Sequence, residues 1–415
     1  LKIISLPKTQ ALHTLTPDGR LLFATRIVRM FGYGIVAVVL ALYLTQLSLN
    51  EAQIGEILTW TLVGDAVISL AITLVADRLG RKKMLLVGAG LMVFAGVTLA
   101  TTDSLLILTL AAIIGTLSPS GNEVGPFLSI EQAILPQMTT NEQRTAVFSW
   151  YNLAGSFSTA MGALFGGWMA SSLQAAGQAP LQSYRVIMAL YAVLGALLIA
   201  MFTRLSRAAE AEKSATLGER FGLHRSRGIV FRLSALFALD SFAGGMVLQS
   251  VLVYWFRVRF GVDDGLMGSI FFGANLLAGL SALAAGRIAA RIGLINTMVW
   301  THIPSNILLM LVPLMPSLSL AIIVLLARFS ISQMDVPTRQ SYIMAVVAPD
   351  ERSAAAGVTT IVRTAASSLA PSIAGQLFGV TLLSVPFFLA GGLKIVYDLA
   401  LYQSFRALKP PEEQQ

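Results

Sequence analysis

The residues able to do chemistry in this chain are charges set inside apolar runs. From Gly115 to Gln137 the sequence reads GTLSPSGNEVGPFLSIEQAILPQ, directly after the apolar run Leu105 to Ile114. That stretch carries two carboxylates, Glu123 and Glu131, beside Asn122 and Gln132. An ionised carboxylate facing hydrocarbon is costly, so such acids face a protein interior or a water-filled path. A desolvated carboxylate can load and release a proton near neutral pH. On one regular helix the two acids would stand about two turns, roughly 12 Å, apart. Pro119, Gly121, Gly125 and Pro126 loosen that helix around Glu123. Arg26 and Arg29, at i,i+3, form either an anion clamp or a pair of side chains reaching back to the membrane surface. Asp335 and Arg339, at i,i+4, either neutralise each other or line a site, and Asp240 is a further acid in an apolar run.

The elements that must hold these charges are membrane helices. Of 415 residues 55% are hydrophobic and 12% charged, with a mean hydropathy of +0.74; a soluble domain has about twice that charged fraction. The net charge of +8 would suit nucleic acid, but the basic residues lie in short clusters between apolar runs, which is the positive-inside pattern. No nucleic-acid partner is therefore expected. Cysteine is absent, so there is no thiol chemistry. Leu1 to Gly19 has no continuous apolar core of a signal peptide.

Twelve spans of bilayer length are expected at 20–47, 53–76, 83–101, 104–136, 144–171, 184–204, 230–258, 265–290, 293–314, 318–347, 352–380 and 382–406. The polar segment Ser206 to Arg227 divides them into six and six. The expected organisation is an N-terminal bundle (1–205), a cytoplasmic linker (206–229) and a C-terminal bundle (230–415). Lys2, Lys8, Arg20, the Arg78–Lys83 cluster, Arg144, the linker, Arg352 and Arg406 fall on one side. That side is the cytoplasm, and both termini lie there. Arg185, Arg257 and Arg259 are exceptions on the other side.

The halves repeat. Asp77-Arg78-Leu79-Gly80-Arg81-Lys82 after span two answers Ala290-Arg291-Ile292-Gly293 after span eight. Glu131-Gln132 followed by Asn141-Glu142-Gln143-Arg144 answers Arg339-Gln340 followed by Pro349-Asp350-Glu351-Arg352, at the same internal spacing. This alignment sets Glu131 opposite Arg339, as an ion pair across the two halves would require. With these motifs the chain resembles the major facilitator superfamily over essentially its whole length. Span five, Gly162-Ala163-Leu164-Phe165-Gly166-Gly167, is similar to that family's antiporter motif but lacks its proline, whereas span eleven keeps Pro371.

The resemblance implies an all-α membrane fold of two pseudo-symmetric six-helix bundles, with spans one, four, seven and ten lining a central cavity. It implies secondary active transport of a small organic solute by alternating access, proton-coupled and more in the manner of an exporter. The alternative is a carrier for an anionic metabolite held by the arginines. The expected substrate and proton site is Glu123, Glu131, Asn122, Arg26, Arg29, Asp240, Asp335 and Arg339. The expected gate is Asp77, Arg78, Gly80, Arg81 and Arg144, where acid and base at a helix end can lock the halves. His302 beside Pro304 is expected as a hydrogen-bonded packing residue, Arg363 as packing or a partner of the span-ten acids, and Asp65 as a structural cap or helix-contact residue. No cofactor, metal or enzymatic constellation is expected; the chain is read as a monomer of the inner or plasma membrane.

Overall fold

The computed structural model describes residues 15–139, 144–210, 224–348 and 351–408. Among these there are fifteen α-helices and no strand. They are α1 (Pro17–Gln46), α2 (Glu51–Leu79), α3 (Arg81–Thr101), α4 (Leu105–Ile114), α5 (Phe127–Ile134), α6 (Arg144–Ala175), α7 (Pro180–Phe202), α8 (Arg227–Gly245), α9 (Gln249–Phe260), α10 (Asp264–Ile292), α11 (Leu294–Leu311), α12 (Leu318–Phe329), α13 (Asp335–Val346), α14 (Arg352–Gly379) and α15 (Val385–Phe405). Read as membrane crossings they make twelve, because α4 with α5, α8 with α9 and α12 with α13 are interrupted spans. The interruptions fall in spans four, seven and ten. Among the described residues, eight segments are long and apolar enough to cross a bilayer by themselves.

Local sequence explains the helix starts. Thr16 Oγ1 accepts from Gly19 N at 3.2 Å, Pro17 occupies the first turn and Asp18 faces the positive helix end. Asn50 and Gln53 form a reciprocal capping box that begins α2. Apolar side chains also cover the outside: Val67, Leu106, Phe231 and Ile323 are each more than half exposed, as lipid-facing positions require.

Contacts divide the chain into two compact units. One takes the described residues 15–210 together with 248–275, and the other takes 224–247 together with 276–408. Within the first, α1 lies along α6 and α3 along α7; within the second, α8 lies along α14 and α11 along α15. These are spans 1–5 and 3–6, then 7–11 and 9–12, so the neighbour pattern repeats as the sequence does.

Small residues set these contacts. A Cβ on Gly34 would stand 2.1 Å from Thr159 O, and one on Gly162 would stand 2.0 Å from Phe31 O. In the second unit a Cβ on Gly245 would meet Ser367 O at 2.3 Å. Without a hydrophobic force between helices in lipid, such close backbone approach is what holds them. Gly162→Ala is therefore expected to push α6 off α1, costing about 1–3 kcal/mol and lowering the thermal midpoint in detergent. Gly90→Ala, where a Cβ would meet nothing within 4 Å, should leave the midpoint unchanged.

Candidate functional site

The interruption of span four is the structural centre of the first unit. Residues 115–126 are not helical, and Gly121 and Gly125 take φ of +70° and +79°, which disfavour side-chain-bearing residues. The backbone groups freed there are satisfied by side chains of neighbouring spans and of the segment itself. Tyr191 Oη donates to Thr116 O at 2.7 Å and Tyr33 Oη to Val124 O at 3.0 Å. Ser118 Oγ donates to Asn122 O at 2.7 Å, and Gly125 N donates to Asp65 Oδ1 at 2.5 Å. Asp65 thus serves the helix-contact role expected of it, as an acceptor for the break. Non-helical backbone at membrane depth is tolerated only when it is paired off in this way.

Because the segment is not helical, the two-turn spacing of its acids does not apply. Glu123 instead folds back so that both acids reach Arg29. Arg29 Nε bonds Glu123 Oε1 at 2.7 Å, while its Nη1 and Nη2 grip the two oxygens of Glu131 at 3.0 and 2.7 Å. Arg26 Nη1 bonds Glu123 Oε2 at 2.7 Å. Thr25 Oγ1 and Tyr151 Oη also donate to Glu131. Arg29 and Glu131 are fully buried, and the Glu123 side chain is 10% exposed. The planar guanidinium suits this fork geometry and also stacks: Arg26 lies 4.2 Å from the Tyr151 ring centroid and Arg29 4.5 Å from that of Phe127. Gly155 makes room for Arg26, since a Cβ there would stand 2.6 Å from its Nε. The arginines are therefore paired inside the protein rather than extended to its surface. Asn122 is exposed, and among the described residues its side chain makes no bond to this network.

The second unit holds its own network. Asp240 on α8 accepts from Lys394 Nζ at 2.5 Å and from Arg339 Nη1 at 3.2 Å. Arg339 Nη1 also bonds Asp335 Oδ2 at 3.0 Å, the i,i+4 pair of α13. Asp398 Oδ1 lies 2.9 Å from His302 Nδ1, and Asp398 Oδ2 accepts from Asn306 Nδ2 at 3.1 Å. His302 Nε2 stands 3.9 Å from Asp240 Oδ1. Arg363 Nε donates to Ser241 Oγ at 3.1 Å, beside this network.

Within its own unit, Glu131 is held by Arg29, and Arg339 by Asp240 and Asp335. Each buried charge has a partner, because leaving one unpaired in low dielectric is costly. Lys394, Asp398 and Tyr151 were not singled out from sequence. Lys394 and Asp398 did carry a signal, an acid and a base at i,i+4 within an apolar run.

The motif after span two is a corner. Gly80 has φ +106° between α2 and α3. Arg81 N and Lys82 N donate to the Glu210 carboxylate at 2.6 and 3.3 Å, which places negative charge at the start of α3. Lys82 Nζ caps the end of α7 through Thr203 O and Leu205 O, both at 2.7 Å. Arg78 is exposed. The side chains of Asp77 and Arg144 lie outside the described residues.

At the equivalent end of the second unit, Glu351 accepts from the backbone N–H groups of His224, Arg225 and Ser226, the latter two at 2.7 and 2.8 Å. Burial pushes this carboxyl up, but the three N–H donors outweigh it and hold it at about 2, below its usual 4.5. Its contribution is present above about pH 4.5 and is lost as pH falls towards 2. Glu351→Gln should speed amide exchange at residues 224–226 at neutral pH. The difference from the wild type should fade below pH 4.

Interrupted membrane helices, paired across long sequence distances by buried charges, are the architecture of a membrane transporter. The chain belongs to the Major Facilitator Superfamily, whose family model matches residues 22–371. It is thus a multi-pass membrane transporter rather than an enzyme. It is 28% identical to the uncharacterized membrane protein YJR124C of Saccharomyces cerevisiae, over 92% of this chain and 93% of that one. Its fold is similar to that of nucleoside transporter NupG, with a TM-score of 0.73 at 14% identity, covering 94% of this chain and 100% of that one. It is also similar to the D-xylose-proton symporter, with a TM-score of 0.69 at 16% identity, covering 93% and 97%. A bacterial homolog of the human lysosomal transporter Spinster, in an inward-facing unoccupied conformation, gives a TM-score of 0.67 at 17% identity, covering 96% and 94%.

Proposed function

We propose that this protein is a proton-coupled secondary transporter that exports a small organic solute by alternating access. The observation that carries this reading is the pair of buried acid–base networks on spans one, four, seven and ten, three of which are interrupted. Ion pairs of this kind can exchange partners when a proton or solute arrives, and so bias one conformation over another. One protein of similar fold is a D-xylose-proton symporter, which supports the proton-coupled reading. Glu123, Glu131, Asn122, Arg26, Arg29, Asp240, Asp335 and Arg339 serve the solute and proton path. Asp77, Arg78, Gly80, Arg81 and Arg144 serve the cytoplasmic gate. The halves 1–205 and 230–415 rock about the site, joined by the linker 206–229, with both termini in the cytoplasm of a cell whose inner or plasma membrane holds the protein as a monomer. The close packing of Gly162 and Gly166 of span five against α1 supports the antiport direction, because it is the glycines of the antiporter-like motif that make this contact.

The alternative, an anionic solute held by Arg26, Arg29 and Arg339, requires that solute to displace carboxylates already bound to all three. The test is a thermal-stabilisation screen of metabolites and drugs, since a ligand of the native state raises its stability. Transport of the hits follows in proteoliposomes under an imposed pH gradient. Gradient-driven accumulation that a protonophore abolishes is expected. Accumulation indifferent to the gradient overturns the reading.

A further inference from the structure

The two networks differ in their charge. In the first, Arg26 and Arg29 face Glu123 and Glu131, and all four carboxylate oxygens are engaged by guanidinium. That set is neutral and complete, so an added proton would have to displace an arginine. In the second, two permanent cations, Arg339 and Lys394, are in contact with Asp240 and Asp335, while a third buried carboxylate, Asp398, lies beyond 4.0 Å of both. Counted by such contacts, the set is one positive charge short.

The shortfall falls on Asp398. It is fully buried, and its partners are the His302 ring and the Asn306 amide; among the described residues no lysine or arginine lies within 4.0 Å of it. A fully buried carboxylate without a cation is too costly to stay ionised. One proton, on either the imidazole or the carboxyl, restores neutrality. The ring is placed to handle it from both sides, with Nδ1 towards Asp398 and Nε2 towards Asp240. The other groups facing it are Asp335 and Arg339 from span ten, Lys394 and Tyr397 from span twelve, and Arg363 from span eleven. Arg363 is half-buried and bonded to Ser241 Oγ; its charge acts on Asp240 and Asp335, and it makes no contact within 4.0 Å with Asp398 among the described residues, so Asp398 is left without a contacting cation.

We propose that His302 and Asp398, on spans nine and twelve, together hold one exchangeable proton and are the proton-binding site of this transporter. The inference rests on the reading of proton-coupled transport and assigns its ion to a place outside spans one, four, seven and ten. In the loaded form the proton sits on the Nδ1···Oδ1 contact, as imidazolium with carboxylate or imidazole with carboxylic acid. On release it leaves to water, and Asp398 is left as a carboxylate with no cation in contact. Lys394 then has a second carboxylate to answer besides Asp240, both on or facing its own helix, which gives the change of partner that a conformational step needs.

The chain has three histidines, His13, His224 and His302, so ring titration can be read on the intact protein. The protein is labelled with ¹⁵N-histidine in nanodiscs, its ring signals are followed from pH 5 to 9, and His13→Gln and His224→Gln identify the remaining signal. His302 is expected to titrate as a single step whose midpoint moves by about one pH unit or more in Asp398→Asn. A His302 ring that keeps one state throughout, or that titrates without regard to Asp398, overturns the proposal, and the wild-type titration requires no variant to fold. In proteoliposomes, His302→Gln and Asp398→Asn should retain solute exchange and lose at least about tenfold of gradient-driven accumulation, a loss of about 1.4 kcal/mol in coupling. If the wild type is coupled and both variants remain so, the proton site fails while the transport reading stands. If the wild type is not coupled although the ring titrates with Asp398, the transport reading fails, and with it the assignment of the pair to transport.

Discussion

Arg29→Gln is expected to cost about 3–5 kcal/mol, the range for breaking a buried ion pair by removal of one partner. Arg29 is fully buried and, among the described residues, is the sole guanidinium on Glu131; it shares Glu123 with Arg26. Among the described residues its removal leaves Glu131 with the hydroxyls of Thr25 and Tyr151. Folded yield by size-exclusion chromatography and the thermal midpoint should both fall sharply. The double variant Arg29→Gln with Glu131→Gln should recover part of the loss, because no unpaired charge then remains at that oxygen pair. Recovery by about 0.5–3 kcal/mol is the coupling expected of groups in direct contact. Strictly additive losses would show that Arg29 acts through packing alone. Arg29→Lys is not expected to rescue, since a point charge cannot reproduce three directed bonds to two carboxylates.

The second large effect is expected at Asp240. It joins Lys394 of span twelve to Arg339 of span ten, so Asp240→Asn strands the ammonium in a buried site while Arg339 keeps Asp335. The expected result is loss of most transport and a clear drop in folded yield. Asp240→Asn combined with Lys394→Met removes the stranded charge and fills its stem volume with an unbranched apolar chain. The double variant should fold better than Asp240→Asn alone. If it folds no better, the ammonium is answered by another carboxylate, and Asp398 is the group to examine.

Much of the architecture could be read before any coordinates. Apolar run length, the positive clusters and the repeated Asp77–Lys82 and Arg144 motifs carry the class, the span number and the family, because bilayer thickness and helix geometry act on local sequence. The interruption of span four was also legible, since Pro119, Gly121, Gly125 and Pro126 weaken any helix that contains them. The interruptions at 246–248 and 330–334 were not anticipated; only Gly244 and Gly245 before the first, and Pro337 after the second, hint at them.

By itself, then, the sequence determined which charges must be buried: any charge inside a long apolar run has to find a partner within the protein. The tertiary structure decided which partner. Arg29 and Glu131 are 102 positions apart and Lys394 and Asp240 are 154 apart, and no periodicity links such distances. Pseudo-symmetry relates Glu131 to Arg339 by equivalent position; within each unit, helix packing brings Arg29 to Glu131 and Asp240 to Arg339. The same packing turned His302 from a packing residue into a member of a charge network and brought in Lys394 and Asp398. Whether a network balances depends on every carboxylate and cation within about 4 Å, a sum over five spans that exists only once the helices are assembled.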